Sequence, residues 1–305
     1  MVLPLRQLAD HGRYRYRPIT ERPSYRWPDG NGLAIYIGFN LECFEFGRGH
    51  GAQLAPGGGD PDVLNYAWRD WGNRVGAWRC RELFDALEVP IAVLLNTSLY
   101  DECPQLAAAF RPDAWRWGAE FVAHGHTNAE RQADMDRARE AELIARCTEA
   151  IRAAEGAAPQ GWLSPWISES ADTPDLLARA GYRYTLNWCH DDQPLPMRVD
   201  GGRLWSVPYP QEVNDIPAIV QRKMGGAEFA QLIEDAYDEL VAASARTPLV
   251  MGIALHPYLV GQPARLRHLR RVLMRLRDER RAWWCTPAQI VAHVESLPDV
   301  AGLEP

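Results

Sequence analysis

About seven times along this 305-residue chain a short apolar run gives way to a segment with helical spacing, and several of those runs end on a residue able to do chemistry. Strand and helix in repeated succession build a parallel sheet with helices packed on its faces, so this alternation constrains the fold more than any single motif. The clearest run, Leu33 to Asn40, follows the turn Asp29-Gly30-Asn31-Gly32, reaches the carboxylate of Glu42 and then breaks into a glycine-rich segment, Gly47 to Gly59. Pro90 to Leu95 reads as a second buried strand, Trp117 to Ala123 as a third ending at His124, and Gly161 to Leu163 as a strand stub. Tyr182 to Trp188 runs into His190-Asp191-Asp192, Trp205 to Tyr209 is short, and Leu249 to Leu255 ends at His256. Between them, the spacing predicts helices over 80–87, 103–111, 134–155, 173–180, 227–245, 263–281 and 287–296. No linker, repeat or low-complexity tract separates these units, so one α/β domain, a distorted (β/α) barrel over residues 31–298, is the economical reading. Residues 1–30, rich in Arg, Tyr and Pro, read as an extended arm, and 299–305 as a tail.

Composition narrows the function. A hydrophobic content of 47% supplies a real core. The net charge of -7 and pI near 5.7 argue against nucleic acid, whose binding needs clustered Lys and Arg; these gather only on the basic helix 263–281, read as a solvated face. No run approaches a membrane span, and the N-terminus has arginines without the apolar core of a signal peptide, so the expected location is the cytoplasm. Six cysteines, scattered without a CxxC pair, fit reduced thiols better than disulfides or a zinc finger.

In a parallel barrel all strand C-termini meet on one face. Glu42, His124 with His126 and Asn128, Asp191 with Asp192, and His256 are therefore expected to converge on one pocket, within a span of about 10–15 Å. Taken singly, each histidine is as well explained as a surface group, and the Asp-Asp pair as turn chemistry. Together they offer a base to activate water and an acid to protonate a leaving nitrogen, which is what hydrolysis of an amide-like bond requires. Trp162, Trp166 and Trp188 stand beside these residues and could wall a site for a flat substrate, although buried tryptophans are more often core. Arg74 is open between support of the site and a scaffold salt bridge.

Seven segments then fall in a familiar order: Phe39-Asn-Leu-Glu42, Gly72 to Arg79, Ala123-His124-Gly-His126, Gly161-Trp-Leu-Ser164-Pro165, His190 to Pro194, Val207 to Asp215 and Leu255 to Arg265. Across roughly residues 30–295 the chain resembles the polysaccharide deacetylase (NodB-homology) family, and within it the allantoinase-like branch that acts on ureides and cyclic imides. The resemblance implies a TIM-like, NodB-type barrel of about seven strands, hydrolysis of a non-peptide C–N bond and assembly into a homo-oligomer. It also implies Glu42 as base and His256 as acid or oxyanion partner. The substrate, a small molecule, is expected to meet His124, His126, Trp162, Ser164, Asp191, Asp192 and Arg74.

The departures bear on the metal. Metal-dependent members present two adjacent aspartates and two histidines four residues apart, where this chain has Glu42-Cys43 and His124 with Asn128. Asparagine is a poor zinc ligand and a lone cysteine is unusual in an oxygen and nitrogen site. A cofactor is accordingly not expected; a divalent metal such as zinc, if bound, would draw on Glu42, His124 and His126, although residues two apart on extended backbone point to opposite sides. Two rival readings remain, an N- or O-deacetylase of carbohydrate and a degenerate barrel serving as a binding or structural protein.

Overall fold

A computed structural model of the chain describes residues 9–56 and 59–305; the first eight residues of the expected arm and two glycines of the glycine-rich segment lie outside the described residues. Nine strands form one curled sheet: β1 Leu33–Leu41, β2 Ile91–Leu95, β3 Ala119–Ala123, β4 Gly161–Trp162, β5 Tyr184–Thr185, β6 Leu195–Met197, β7 Leu204–Ser206, β8 Leu249–Leu255 and β9 Trp283–Trp284. Their order is β6-β7-β5-β4-β3-β2-β1-β8, with β9 paired to the start of β1. Every pairing is parallel except β6 with β7. Between β6 and β8 the curl stays open as a sheet, and single contacts bridge it: Asn214 pairs with Ala254, and Val250 N–H donates to the carbonyl of Asp192. This is the expected distorted barrel.

The principal helices, α1 Val63–Trp71, α2 Ala77–Ala86, α3 Leu99–Glu102, α4 Pro104–Ala109, α5 Arg137–Glu155, α6 Thr173–Arg179, α7 Gly226–Ala243, α8 Pro257–Val260, α9 Pro263–Asp278 and α10 Pro287–Glu295, include three differences from the sequence reading. The expected helix 103–111 is found as α4, and a separate turn, α3, precedes it, because Pro104 cannot continue a helix through Cys103. The first helical segment begins at Val63 rather than Cys80, capped by the Asp62 side chain on Asn65 N–H, and passes through one widened turn, Gly72–Gly76, into α2. Only two residues of the expected strand 182–188 pair as sheet. Among the described residues no helix is long and apolar enough to cross a membrane.

Side chains alternate across a strand, and that period of two places the site. Along β1, Leu33, Ile35, Ile37, Phe39 and Leu41 belong to the apolar layer under the helices, while Ala34 and Tyr36 belong to the barrel interior. Asn40, and Glu42 one step past the strand, share the interior parity. On β8 the outer set is Leu249, Met251, Ile253 and Leu255, and the inner set Val250 and Ala254 continues to His256. On β3 Val122 is interior and continues to His124; on β2 Leu94 is interior and continues to Asn96. The register pairs Leu41 with Leu95 and Leu95 with Ala123, so Glu42, Asn96 and His124 follow as one layer on adjacent strands. Phe39 pairs with Leu255, which sets His256 beside Asn40.

Candidate active site

Glu42 is buried on the cleft floor at the end of β1, and both carboxylate oxygens are engaged. Oε1 accepts from Asn128 Nδ2 at 2.5 Å and lies 3.4 Å from His256 Nε2 and 3.5 Å from His124 Nε2. Oε2 accepts from the Tyr258 hydroxyl at 3.0 Å. Tyr258 reaches this position because α8 packs directly on the widened turn. A Cβ on Gly72 would stand 2.7 Å from Tyr258 N, and one on Gly76 2.2 Å from Pro257 O, so only glycine permits the approach.

His256 is fixed from behind by Asp215. One oxygen of Asp215 accepts from His256 Nδ1–H at 2.6 Å and the other from the His256 backbone N–H at 2.7 Å. Burial alone would depress the imidazolium, but the charges of Asp215 and Glu42 outweigh it and carry the His256 pKa up to about 10. Burial works to raise Glu42, and the charge of His256 beside it outweighs burial and holds the carboxyl well below the usual carboxylate range. Burial pushes Asp215 up against the pull of His256; both its oxygens accept from N–H donors, so we assign it the ionised form. The resting site is thus a cation between two carboxylates.

His124 differs. Its Nδ1 lies 2.7 Å from the carbonyl of Leu163, which can only accept, so Nδ1 carries the proton. In the neutral ring Nε2 then offers a lone pair toward Glu42 Oε1, and it has no hydrogen-bond partner. Two acceptors face one another with no proton between them, which is a place for a donor such as water or a substrate N–H.

Asn96 holds this layer together. Its Oδ1 accepts from Cys43 N–H at 2.8 Å, and its Nδ2 donates to Asn128 Oδ1 at 3.1 Å and to the His124 carbonyl. Asn128 is thereby locked with its N–H side toward Glu42, so it presents a donor where a metal needs a lone pair. Cys43 turns away into a neighbouring basin, where contact with Cys103, and burial, push its thiol up. Among the described residues no three His, Cys, Asp or Glu are arranged to hold a metal ion. The donor set does not fit the metal centre of the metal-dependent relatives.

The cleft above has a volume of about 140 Å³ and is lined by Asn40, Phe44, Asn128, Leu163, Trp166, Ile167, Tyr209, Gln211, Asn214, Gln221 and Tyr258 beside Glu42, His124 and His256. Trp166 is fixed by its indole N–H on the Asn128 carbonyl at 2.9 Å.

Six expected substrate contacts stand elsewhere. Trp162 faces the helices, since it falls between the interior positions Gly161 and Leu163; it is fully buried and bonds to Gln132 and Ser164. Ser164 is sealed in the core against Asn187. His126 lies past Gly125, whose positive φ breaks the alternation, and it meets Thr97 Oγ1 at 3.0 Å outside the cleft. With it goes the alternative metal set that needed His126. Asp191 and Asp192 lie at the opposite end of β8, where the arm crosses: Arg22 pairs with Asp191 at 2.5 Å and Trp27 Nε1 donates to Leu249 O. Seven residues of β8 put that end roughly 20 Å from His256. Arg74 is on the surface, paired with Asp70 at 2.5 Å. Conversely, Asp215, Asn96 and Tyr258 had no role assigned from the sequence. Asn96 was findable by parity with Leu94; Asp215 comes from a bridging segment that no strand pattern announces.

No family model matches the chain. Over 241 residues, 72% of this chain and 73% of the other, it is 26% identical to a Schizosaccharomyces pombe protein provisionally named a polysaccharide deacetylase. A solved structure described as a probable polysaccharide deacetylase of Pseudomonas aeruginosa superimposes with a TM-score of 0.81 at 22% identity, over 93% of this chain and 99% of that one. The solved Puue allantoinase superimposes with a TM-score of 0.80 at 23% identity, over 97% and 99%.

Proposed function

We propose that this chain, which shares sequence and fold with polysaccharide deacetylases and fold with an allantoinase, hydrolyses a non-peptide C–N bond of a small ureide, cyclic imide or amide, uncharged at the reacting end, with no metal taking part. The observation that carries the reading is the Glu42–His256–Asp215 relay at the floor of a cleft whose remaining polar lining is almost entirely carboxamide. Asn40, Asn128 and Asn214 are engaged within the protein, while the amides of Gln211 and Gln221 can give and take a hydrogen bond, as a ureide or imide edge requires, and no Lys, Arg or Asp lines the cleft. Leu163, Trp166, Ile167 and Phe44 offer the apolar faces on which a flat ring packs.

The chemistry follows from the charges. A water seated in the cleft beside Glu42 Oε1 and His124 Nε2, which lie 3.5 Å apart, donates to both acceptors. At rest His256 Nε2–H is directed at Glu42; a substrate carbonyl oxygen that draws this hydrogen bond removes the main charge neutralising Glu42 and raises its basicity. Glu42 then takes the water proton as hydroxide adds to the carbonyl carbon, and the imidazolium stabilises the oxyanion. The C–N bond breaks as His256 gives its proton to the leaving nitrogen, and the proton on Glu42 restores His256. Asp215 orients the ring and holds it cationic until it delivers its proton. The site is assembled on rigid strand ends with its acid and base in contact, which favours an enzyme over a degenerate binding barrel.

A panel of unsubstituted cyclic imides, cyclic ureides, linear ureides and N- and O-acetylated sugars, assayed on chelator-treated protein, tests the reading. Ring opening or ureide cleavage with the acetylated sugars inert is the expected result. Turnover of acetylated sugars alone replaces it with the carbohydrate deacetylase reading, and no turnover of any class leaves the degenerate barrel.

A further inference from the structure

Past Trp166 the cleft opens into a vestibule of about 350 Å³, which shares Ala52, Trp166, Ile216 and Gln221 with the cleft and adds Arg131, His50 and Gln53. Its chemistry differs from that of the floor. The Arg131 guanidinium lies over the Trp166 ring, 5.2 Å from its centroid, and pairs with no carboxylate among the described residues. Asp134 lies 3.6 Å from His50 at its rim. Trp166 is held in place by unusual backbone, with φ of 64° there and 53° at Ile167, in the left-handed region that bulky residues seldom occupy. Such conformations persist where the surroundings fix them, and they cluster at ligand sites. A short chain of contacts joins the two ends of this space: Arg131 stacks on Trp166, Trp166 donates to the Asn128 carbonyl, and Asn128 donates to Glu42.

We infer that the vestibule is an anion subsite, with Arg131 receiving a carboxylate substituent of the same small molecule whose ring lies against Glu42. The inference rests on the hydrolase reading and sharpens it: the substrate is an amide-type ring, neutral at the reacting end and anionic at the other. An anion fits at the mouth because Glu42 repels it from the floor and the floor's cation is already shared between two carboxylates. A planar guanidinium stacked on an indole keeps its donor edge free for a carboxylate, a geometry an ammonium does not reproduce.

Imidazolidine-2,4-dione-5-acetate and the matching 5-acetamide, equal in shape and different in charge, are the probes. Calorimetry on the Glu42→Gln variant reads binding without turnover. At low salt the acetate should bind about tenfold tighter than the acetamide, a size set by the exposure of Arg131, and added salt should narrow the gap. Arg131→Ala should erase the preference, so that the two probes bind alike, and Arg131→Lys should keep only part of it. Equal binding of the two probes, binding of neither, or a preference that survives Arg131→Ala overturns the subsite. An Arg131-dependent preference without hydrolysis of either ring by the parent protein upholds the subsite and counts against the hydrolase reading.

Discussion

Asp215 acts on the substrate only through His256, and the charge it lends is what distinguishes this histidine from a solvent-exposed one. With His256 carried up to about 10 and Glu42 held below the usual carboxylate range, acid and base are in their working forms across neutral pH. The kcat/KM profile should therefore be flat from about pH 6 to 9 and fall on an alkaline limb near the His256 value. Asp215→Asn removes an anion, so the alkaline limb should move to lower pH; a limb that stays in place refutes the positioning role. Stability follows the same groups. His256 is raised above its ordinary value of 6.5, so its contribution is full below that pH and is lost as pH rises through about 10. Glu42 is lowered from 4.5, so its contribution is present above that pH and is lost only as pH falls through the depressed folded value. These are two views of one ion pair and do not add. The urea midpoint should thus decline as pH rises from about 6.5 to about 10, and a midpoint unchanged across that range contradicts the buried cation. Glu42, His124 and His256 were legible as polar ends of apolar runs; Asp215, by contrast, lies in a segment with little strand pattern and reveals itself only through contact.

Each strand's period of two decides which residues enter the barrel. Read strictly, it places Leu163 in the cleft and Trp162 outside it, a distinction that proximity to a motif obscures. The same parity makes Gly161 an interior residue packed against Tyr184, where a Cβ would meet the ring and hydroxyl at 2.0 to 2.3 Å. Tyr184 cannot move aside, because its hydroxyl is bonded to the half-buried Glu120. Gly161→Ala should therefore destabilise the fold by about 1–3 kcal/mol, seen as a lower denaturant midpoint at unchanged slope, and a midpoint equal to the parent's shows that the interior can yield. Element existence was legible from hydrophobic spacing, whereas β6 and β9 were not, since two- and three-residue strands carry no period. The long approach helix α1 was hidden by its aromatic and polar composition.

Across the whole molecule, sequence order and strand ends were enough to anticipate the barrel, because parallel pairing forces every crossover helix to the outside. They were not enough to tell which end of the barrel a loop residue occupies. Asp191 follows a strand yet meets Arg22 and the arm at the far end, since the chain turns back through antiparallel β6 before β7. Charge balance at the working end also bears on metal. Asn128, Tyr258 and His256 already satisfy Glu42, so dialysis against a strong chelator should leave kcat/KM within twofold of the untreated protein; activity that is lost and then restored by one equivalent of zinc contradicts this account. The central claim is that Glu42 takes the proton from water. Its most direct test is the steady-state rate of Glu42→Gln on a ring or ureide that the parent protein hydrolyses, with the thermal midpoint recorded alongside. A loss of about 10² to 10⁴ in kcat in a variant that remains folded is the expected result, and hydrolysis at the parental rate would contradict the mechanism.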